Sequence, residues 1–240
     1  MQLKLSRFAG RLSRHLPKYR MIRRDGLEAR FFVPWGCHYV ASDLDELERG
    51  QREPELYQWL SSLPGGAVLF DVGTSYGQEA ALASSLQDRD VTVVGFDCGL
   101  LHAHFCALNK RLNDDRFEFV FAAVGETSGM PVPITCNSDT HLPHLHRKNA
   151  PYSYQVPSLA LDDYAASRDL LPTHLKIDVD GAEFGVLKGA RKILANPALT
   201  DIFIEIDNKN AGIVEFLESR GFSVSWRHDK PQNADVLFTR

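Results

Sequence analysis

Long apolar runs are missing from this 240-residue sequence. A bilayer-spanning helix needs roughly 18 or more consecutive apolar residues, and no segment approaches that length. The stretch Met1–Gly10 also lacks the continuous apolar core of a secretory signal, so we expect none. With 44% hydrophobic and 24% charged residues, the composition is that of an ordinary globular protein. The length fits one large domain, with or without an N-terminal extension.

Cysteine is scarce and widely spaced. Cys37, Cys98, Cys106 and Cys136 include no Cys-x-x-Cys pair. This spacing disfavours both a zinc knuckle and a disulfide framework. Reduced thiols in the cytoplasm are the simplest interpretation, and we therefore predict a cytoplasmic protein.

The glycine loop at 67–77 lacks two familiar phosphate-binding patterns. Its spacing is Asp-x-Gly-x-x-x-Gly, from Asp71 through Gly73 to Gly77, so it has neither Gly-x-Gly-x-x-Gly nor the Lys-Ser/Thr of a P-loop. NAD and ATP are therefore not the first ligands to expect. An apolar strand precedes this loop and a helical segment, 78–86, follows it, which is typical of a ligand loop at the carboxyl edge of an α/β sheet. A plain tight turn is the alternative.

Buried strands alternate with helices along the rest of the chain, which predicts an α/β, Rossmann-like, three-layer fold with a mostly parallel sheet. We expect helices at 45–63, 100–112, 159–167, 182–194 and 211–220. We expect strands at 27–33, 67–70, 92–96, 117–124, 173–177 and 202–206, and a terminal antiparallel hairpin formed by 222–227 and 236–239. Residues 126–157 interrupt the pattern and predict a long inserted loop or small hairpin, which in compact domains often acts as a lid.

The N-terminal segment is basic, whereas the rest of the chain is acidic. Residues 1–30 carry nine Lys/Arg and two acidic residues, so the remainder is net negative. Leu3–Leu16 follows helical spacing, and a Pro-Trp-Gly turn is expected at 34–36. We predict a basic helical extension and lead-in over 1–60, a catalytic domain over 61–240, and weak contact of residues 1–24 with anionic membrane. A solvated helix, or one packed on the body of the protein, is the alternative.

Four aspartates end predicted strands: Asp71, Asp97, Asp178 and Asp207. Parallel strand ends converge at one edge, so these side chains are expected to share a crevice. Asp97 lies 24 residues after Gly73, a position suited to binding a ribose hydroxyl pair, with a helix N-cap as the alternative.

Oxygen ligands from neighbouring strand ends also predict a metal site. Asp178, Asp207 and Asn208 offer the hard donors that Mg²⁺ prefers. Asp-Asn is equally common as a turn and N-cap pair, and this alternative stays open.

Three segments resemble the FkbM-type S-adenosylmethionine-dependent methyltransferases. The most specific is LKIDVDGAEFGVLKGA at 175–190, flanked by VPSLALDD at 156–163 and FIEI at 203–206. The resemblance covers about Val68 to Ile206. It implies a class I methyltransferase fold of seven strands in the order 3-2-1-4-5-7-6, with strand 7 antiparallel. It also implies methyl transfer to an oxygen, commonly on a sugar or polyketide-type product.

The resemblance also assigns site residues by position. The cofactor-binding set that it implies is Asp71, Gly73, Tyr76, Gly77, Asp97, Ala123 and Asp178. Within it, the glycine loop would hold the methionine end, Asp97 the ribose and Ala123 the adenine. The sequence departs from the family at Asp97 and Asp180, where glutamate is usual. Both changes keep the charge on a shorter side chain.

A hydroxyl acceptor needs its proton removed or its oxyanion stabilised. We predict Asp178, Lys176 and His144 as catalytic residues, with Asp180 and Glu183 close to the crevice. For Lys176 and Glu183 the alternative is a structural ion pair or helix cap. For His144, and for His141 and His146 on the same insertion, it is a solvated loop.

Two other functions stay open: a nucleotide-sugar or NAD-binding enzyme, and a non-catalytic cofactor-binding partner subunit. The acidic cluster favours the enzyme. The expected partner is a small-molecule or glycan acceptor and not a nucleic acid. The cofactor is S-adenosylmethionine, with Mg²⁺ as an optional addition. A membrane-peripheral location through residues 1–24 is the alternative to a purely cytoplasmic one.

Overall fold

The computed structural model describes residues 19–33, 38–136, 143–145, 152–210 and 212–240. The strands are β1 (Tyr19–Arg24), β2 (Leu27–Phe32), β3 (Val68–Val72), β4 (Thr92–Asp97), β5 (Glu118–Phe121), β6 (Ala123–Val124), β7 (Pro131–Cys136), β8 (Pro143–Leu145), β9 (Tyr152–Leu159), β10 (His174–Ile177), β11 (Asp201–Asp207), β12 (Ser223–Asp229) and β13 (Asn233–Thr239). The α-helices are α1 (His38–Glu48), α2 (Pro54–Ser61), α3 (Gln78–Ala83), α4 (Leu100–Leu112), α5 (Leu161–Arg168), α6 (Glu183–Lys188), α7 (Arg191–Ala195) and α8 (Ile213–Glu218). Across these ranges, none of the helices has the length and apolar character needed to span a membrane.

Seven strands form the central sheet, in the order β5-β4-β3-β10-β11-β13-β12. Numbered along the chain within this sheet, they lie in the order 3-2-1-4-5-7-6. The inner pairs are parallel, while β13 runs antiparallel to both β11 and β12. The predicted Rossmann-like fold with a terminal antiparallel hairpin is therefore confirmed.

Apolar layers cover both faces of this sheet, because successive side chains of a strand point to opposite sides. Leu69 and Val93 belong to the core shared with α1–α4 and the β1–β2 hairpin. Phe70 and Val94 belong to the core shared with α5–α8. Strands buried on both faces read as continuous apolar runs, which is why the sequence revealed them.

The N-terminal hairpin is fixed to α4 by two asparagine side chains one helical turn apart. Asn113 accepts a hydrogen bond from the Arg30 backbone N–H and donates one to the Arg30 carbonyl, each at 2.8 Å. Asn109 accepts from the Phe32 N–H at 2.7 Å. These amides satisfy the outer edge of β2 much as a neighbouring strand would. Of the predicted N-terminal elements, the strand at 27–33 is present as β2, residues 19–24 are strand β1, and the helix at 3–16 and the turn at 34–36 lie outside the described residues.

Three predicted elements are interrupted. The helix expected over 45–63 is two helices, because α1 ends at Glu48 and Pro54 starts α2. The helix expected over 182–194 breaks at Gly189, where a Cβ atom would stand 2.0 Å from the Gly125 carbonyl oxygen. The third core strand, expected over 117–124, leaves the central sheet after Phe121.

The inserted segment contributes to a second, smaller sheet. Its strand order is β6-β9-β7-β8, with β7 antiparallel to both β8 and β9 and β6 parallel to β9. Ile134 and Val156 of this sheet pack with Ala123 in a small buried cluster. The small sheet is thereby attached to the carboxyl end of the central sheet.

Candidate active site

The loop after β3 is held between its two neighbouring strands. The backbone N–H groups of Gly73 and Thr74 both donate to the Phe96 carbonyl, at 2.9 and 3.0 Å. Gly73 has a φ of +83°, and a Cβ atom there would lie 1.7 Å from the Asp178 carbonyl oxygen. A side chain at this position would force β3 and the loop after β10 apart, so glycine is required.

Beneath this loop lies a buried ion pair. Asp71 is fully buried, and one carboxylate oxygen accepts a hydrogen bond from the Thr74 hydroxyl at 2.6 Å. The other oxygen lies 3.2 Å from the Lys176 ammonium. That ammonium also donates to the Gly73 carbonyl at 3.1 Å and lies 3.7 Å from Asp178. Lys176 therefore connects the loop to the carboxyl ends of β3 and β10.

The charge state of Lys176 follows from these neighbours. Burial alone would lower its pKa, but the carboxylates of Asp71 and Asp178 outweigh burial and hold the pKa above its ordinary value. The side chain stays protonated near neutral pH and has no free lone pair with which to accept a proton. The structural ion pair considered from the sequence is present, and a catalytic contribution of Lys176 is limited to that of a fixed positive charge.

Asp97 connects two loops. One carboxylate oxygen accepts from the Ser75 N–H at 2.9 Å and the other from the Gly99 N–H at 2.6 Å. The His102 imidazole Nδ1 lies 3.6 Å from the second oxygen. Gly99 is itself the N-cap of α4, so Asp97 does not cap that helix. A carboxylate has about four acceptor sites, so Asp97 keeps acceptor capacity suited to ribose hydroxyls.

Tyr76 and Gly77 complete the loop, but the Tyr76 side chain points into the core. Its ring packs edge-on against Phe31, and its hydroxyl donates to the Gln78 side-chain oxygen. The cofactor contact predicted for Tyr76 would therefore have to come from its backbone. Gly77 has a φ of +81°, and a Cβ atom there would stand 2.8 Å from the Cys106 sulfur.

Ala123 lies next to the Asp97 loop. The Ala122 N–H donates to the Asp97 carbonyl at 3.0 Å, and Ala123 then pairs with Ser158 as the first residue of β6. The structure thus brings together the residues predicted for ribose and adenine, although 26 positions separate them in the sequence.

On the other side of Lys176, three carboxylates face one another. Oxygens of Asp178, Asp180 and Glu205 all lie within 4.8 Å of one another, and the Asp178 side chain is 36% exposed. Burial, followed by the charge of Asp178, raises the pKa of Glu205 to about 7. Glu205 was not predicted as a site residue. Its signal was strand alternation, because Glu205 shares a face of β11 with Asp207 while isoleucines occupy the other face.

A lysine compensates the outer side of this acidic group. The Lys230 ammonium lies 2.8 Å from Asp235, 3.1 Å from Glu205 and 3.5 Å from Glu53. Those three carboxylates therefore already share one cation. Asp178 lies on the inner side of these carboxylates, between Glu205 and Lys176.

The oxygen ligands predicted for Mg²⁺ are used differently. Asp207 accepts a hydrogen bond from the Lys209 N–H at 2.9 Å, and the Asn208 amide donates to the Pro231 carbonyl at 3.2 Å. These are the contacts of the turn considered as the alternative. In the part of the chain that the structure describes, Asp178 clusters with Asp180 and Glu205, and a metal site at Asp178, Asp207 and Asn208 stays a prediction.

Glu183 and the insertion histidines complete the predicted set. One Glu183 oxygen accepts from the Gly181 N–H at 2.6 Å and the other from the Asn210 amide at 2.5 Å, so this side chain joins two loops. His144 lies on β8, the outer strand of the small sheet, where the structure gives the backbone but not the side chain. His141 and His146 lie outside the described residues, so a catalytic histidine stays a prediction.

Comparison with known proteins supplies the family. The model of the methyltransferase FkbM domain matches residues 71–224. Precorrin-6y C5,15-methyltransferase from Geobacter metallireducens superposes with a TM-score of 0.51 at 12% identity, covering 80% of this chain and 88% of that one. A protein of the NADB-Rossmann superfamily from Streptococcus agalactiae gives 0.50 at 11% identity, covering 79% and 69%. Fibrillarin from Aeropyrum pernix, crystallised with S-adenosyl-L-methionine, gives 0.49 at 14% identity, covering 92% and 82%.

At such identities the Geobacter and Streptococcus structures show the fold alone. A comparison with curated proteins gives no match. The FkbM match is different in kind, because it covers more than half of the chain, including the Asp71 loop, Asp97 and the 175–190 segment. The chain therefore belongs to the FkbM family of methyltransferases.

Proposed function

We propose that this methyltransferase uses S-adenosylmethionine to methylate a hydroxyl oxygen of a small-molecule or carbohydrate-like acceptor. The observation that carries the proposal is the position of Asp178. This half-exposed carboxylate stands at the crevice edge, next to a loop whose backbone is fixed by Asp97 and Lys176. Membership of the FkbM family supports methyl transfer, and the carboxylate supports an acceptor that must lose a proton.

The residues present fit the proposed cofactor. Asp97 retains acceptor sites for two ribose hydroxyls, and Ala123 forms an apolar wall beside it. Leu100 follows the Asp97 loop directly, and this residue is 58% exposed, so its apolar side chain is available to pack against an aromatic base. The Gly73–Gly77 loop would hold the methionine end. When bound, S-adenosylmethionine supplies an activated methyl carbon on a sulfonium.

The side chains at the crevice have separate parts in the proposed reaction. Asp178 accepts the proton of the acceptor hydroxyl, while Lys176, which stays protonated, cannot compete for it. Glu205 lies beside Asp178 and, with a pKa of about 7, can exchange that proton with solvent near neutral pH. Aligning donor and acceptor can supply roughly 7–11 kcal/mol of the barrier in such displacements, so the proposed reaction depends on the fixed loop as well as on the base.

Calorimetry with S-adenosylmethionine, S-adenosylhomocysteine and NAD tests the cofactor. We expect the first two to bind, and we expect Asp97→Ala to weaken both by about 1.5–3 kcal/mol, the range for hydrogen bonds to a charged group. Asp115→Ala is the matched control, because Asp115 is an exposed carboxylate paired with Arg111 at the far end of α4. Binding of NAD alone would refute the proposal and favour the dinucleotide-binding alternative.

Mass spectrometry of cell extracts tests the reaction. Cells with the wild-type protein should contain a methylated metabolite, one methylene group heavier than the unmethylated form that accumulates in cells with Asp178→Asn. The added methyl group should be attached to oxygen. Cofactor binding without any such product would identify a non-catalytic partner subunit. If EDTA abolishes product formation, the reaction requires a divalent metal, which would favour Asp178 as a metal ligand and Mg²⁺ as a second cofactor.

A cytoplasmic location and a small acceptor are parts of the same proposal. Cys98 and Cys106 carry reduced thiols in the described part of the chain, which agrees with a reducing compartment. The crevice is bordered by Asp178, Asp180 and Glu205, a charge that disfavours nucleic acid as the acceptor.

A further inference from the structure

Tyr154 reaches from the small sheet into the loop that follows Asp97. Its hydroxyl accepts a hydrogen bond from the Leu100 N–H at 2.9 Å and donates one to the Cys98 carbonyl at 3.0 Å. The residues so joined are more than fifty positions apart in the sequence. A single hydroxyl thus connects the insertion to the start of α4.

The turn at 98–100 needs such a partner. The first N–H groups of a helix have no partner within the helix, and a side chain at the N-cap usually satisfies one of them. Gly99 occupies the N-cap of α4 and has no side chain. Tyr154 supplies the missing acceptor for the Leu100 N–H. Asp97 accepts a hydrogen bond from the preceding N–H group, that of Gly99. Two side chains therefore fix two successive peptide groups, Cys98–Gly99 and Gly99–Leu100.

The same part of the small sheet also borders Ala123. Val156, two residues along the same strand, packs with Ala123 and Ile134, and Cys98 and Tyr154 pack against that cluster. Strand β9 thus contacts both regions proposed for adenosine. We propose that Tyr154 is a positioning residue for the cofactor, which holds the 98–100 turn so that Asp97 and Ala123 face the adenosine half together. This inference rests on the proposed function.

Calorimetry with S-adenosylhomocysteine tests it on the full chain, as wild type, Tyr154→Phe and Tyr164→Phe. Tyr154→Phe keeps the ring and removes only the bridging hydroxyl. We expect its Kd to rise by about threefold to tenfold, equivalent to about 0.6–1.4 kcal/mol. Tyr164→Phe is the control, because Tyr164 is a buried ring on α5 whose hydroxyl bonds to Arg168. We expect less than a threefold change there.

A structural role alone gives a different result. If Tyr154→Phe lowers the melting temperature but its Kd stays within threefold of wild type, the inference is wrong. If wild type itself fails to bind S-adenosylhomocysteine, the proposed function fails, and this inference fails with it. Binding by wild type with an unchanged Tyr154→Phe overturns the inference alone.

Hydrogen exchange on the wild-type protein gives a second readout that needs no variant. S-Adenosylhomocysteine should protect the Leu100 amide and the amides of 153–156 together, because Tyr154 couples the turn to β9. Protection confined to the Asp71–Gly77 loop and the turn, with no change in β9, would overturn the inference.

Discussion

Replacing Lys176 by methionine should destabilise the protein strongly. Met retains the length and apolar contacts of the lysine stem but removes a charge that lies 3.2 Å from the fully buried Asp71. It also removes the hydrogen bond to the Gly73 carbonyl. Breaking one partner of a buried pair costs about 3–5 kcal/mol, because the other charge stays buried and uncompensated. We therefore expect the free energy of unfolding to fall by that amount.

Urea denaturation followed by circular dichroism measures this loss. Lys110→Met is the control, because Lys110 pairs with Asp115 and Glu118 near the surface, where loss of a pair costs about 0–1 kcal/mol. In the double variant with Asp71→Asn, the penalty should be less than the sum of the two single losses, since no unpaired charge remains. If Lys176→Met costs no more than Lys110→Met, water reaches the pair and the argument for a buried fixed cation is wrong.

The pH dependence of this contribution has a definite sign. The folded-state pKa of Lys176 is raised above its ordinary value of 10.5, so its stabilisation is fully present below that value. It is lost only as pH rises through the higher folded-state pKa. The difference between wild type and Lys176→Met should therefore stay constant between about pH 6 and 9 as far as Lys176 itself is concerned.

Three further predictions concern other parts of the chain. Asn109→Ala should lower the free energy of unfolding by about 2–4 kcal/mol, because it leaves the Phe32 N–H and the Tyr76 carbonyl without a partner, and a loss under 1 kcal/mol in urea would contradict this. Glu205 has a folded-state pKa of about 7 against 4.5 when unfolded, so wild type should lose stability relative to Glu205→Gln as pH rises from about 4.5 to 7. If the free energies of unfolding of the two proteins change in parallel with pH, the raised pKa is wrong. Deletion of residues 1–18 should release the protein from anionic vesicles at low salt, and full-length protein that ignores such vesicles would exclude the predicted membrane contact.

The boundary of that deletion differs from the 24 residues suggested by charge alone. Residues 19–24 form β1, and Arg20 is paired with Asp45 and Glu48 of α1. Arg24 is buried and donates to the Arg52 carbonyl at 2.5 Å. Both arginines make contacts that stabilise the fold, so the predicted membrane contact would have to come from residues before the β1–β2 hairpin.

The elements that sequence alone revealed depend on local signals. Buried parallel strands appear as apolar runs, and three of these runs are followed by Asp71, Asp97 and Asp207. Such runs located the five parallel strands of the central sheet. Breaks within elements were harder to see. Gly189 falls inside the helix expected over 182–194, and the close approach of Gly125 from another part of the chain explains why the helix stops there.

Pairings between distant residues could not be predicted, because they depend on strand register. Asp71 and Lys176 were each singled out in the sequence, but their pairing with one another is visible only when β3 and β10 are placed side by side. Asn109 resembled a polar position on an amphipathic helix, although it bonds to both the hairpin and the loop. Tyr154 fell in a segment predicted as irregular.

Register also explains why the candidate base lies where it does. Asp71 pairs with Lys176 across β3 and β10, and Glu205 pairs with Asp235 across β11 and β13. Continuing the β10–β11 register by one residue places Asp178 beside Glu205. Like charges side by side on neighbouring strands are unfavourable, and folded proteins keep such conflicts mainly where function needs them.

A lysine lies next to each member of that pair. The Lys176 ammonium is 3.7 Å from Asp178, and the Lys230 ammonium is 3.1 Å from Glu205. Carboxylates are thus concentrated at the point where, in the proposed reaction, an acceptor hydroxyl would approach the methyl donor. In the proposed reaction, Asp178 takes the acceptor proton, and the neighbouring Glu205, whose pKa is raised to about 7, can pass that proton to solvent. The strand register therefore supports Asp178 as the proton acceptor more strongly than its place in the sequence motif does.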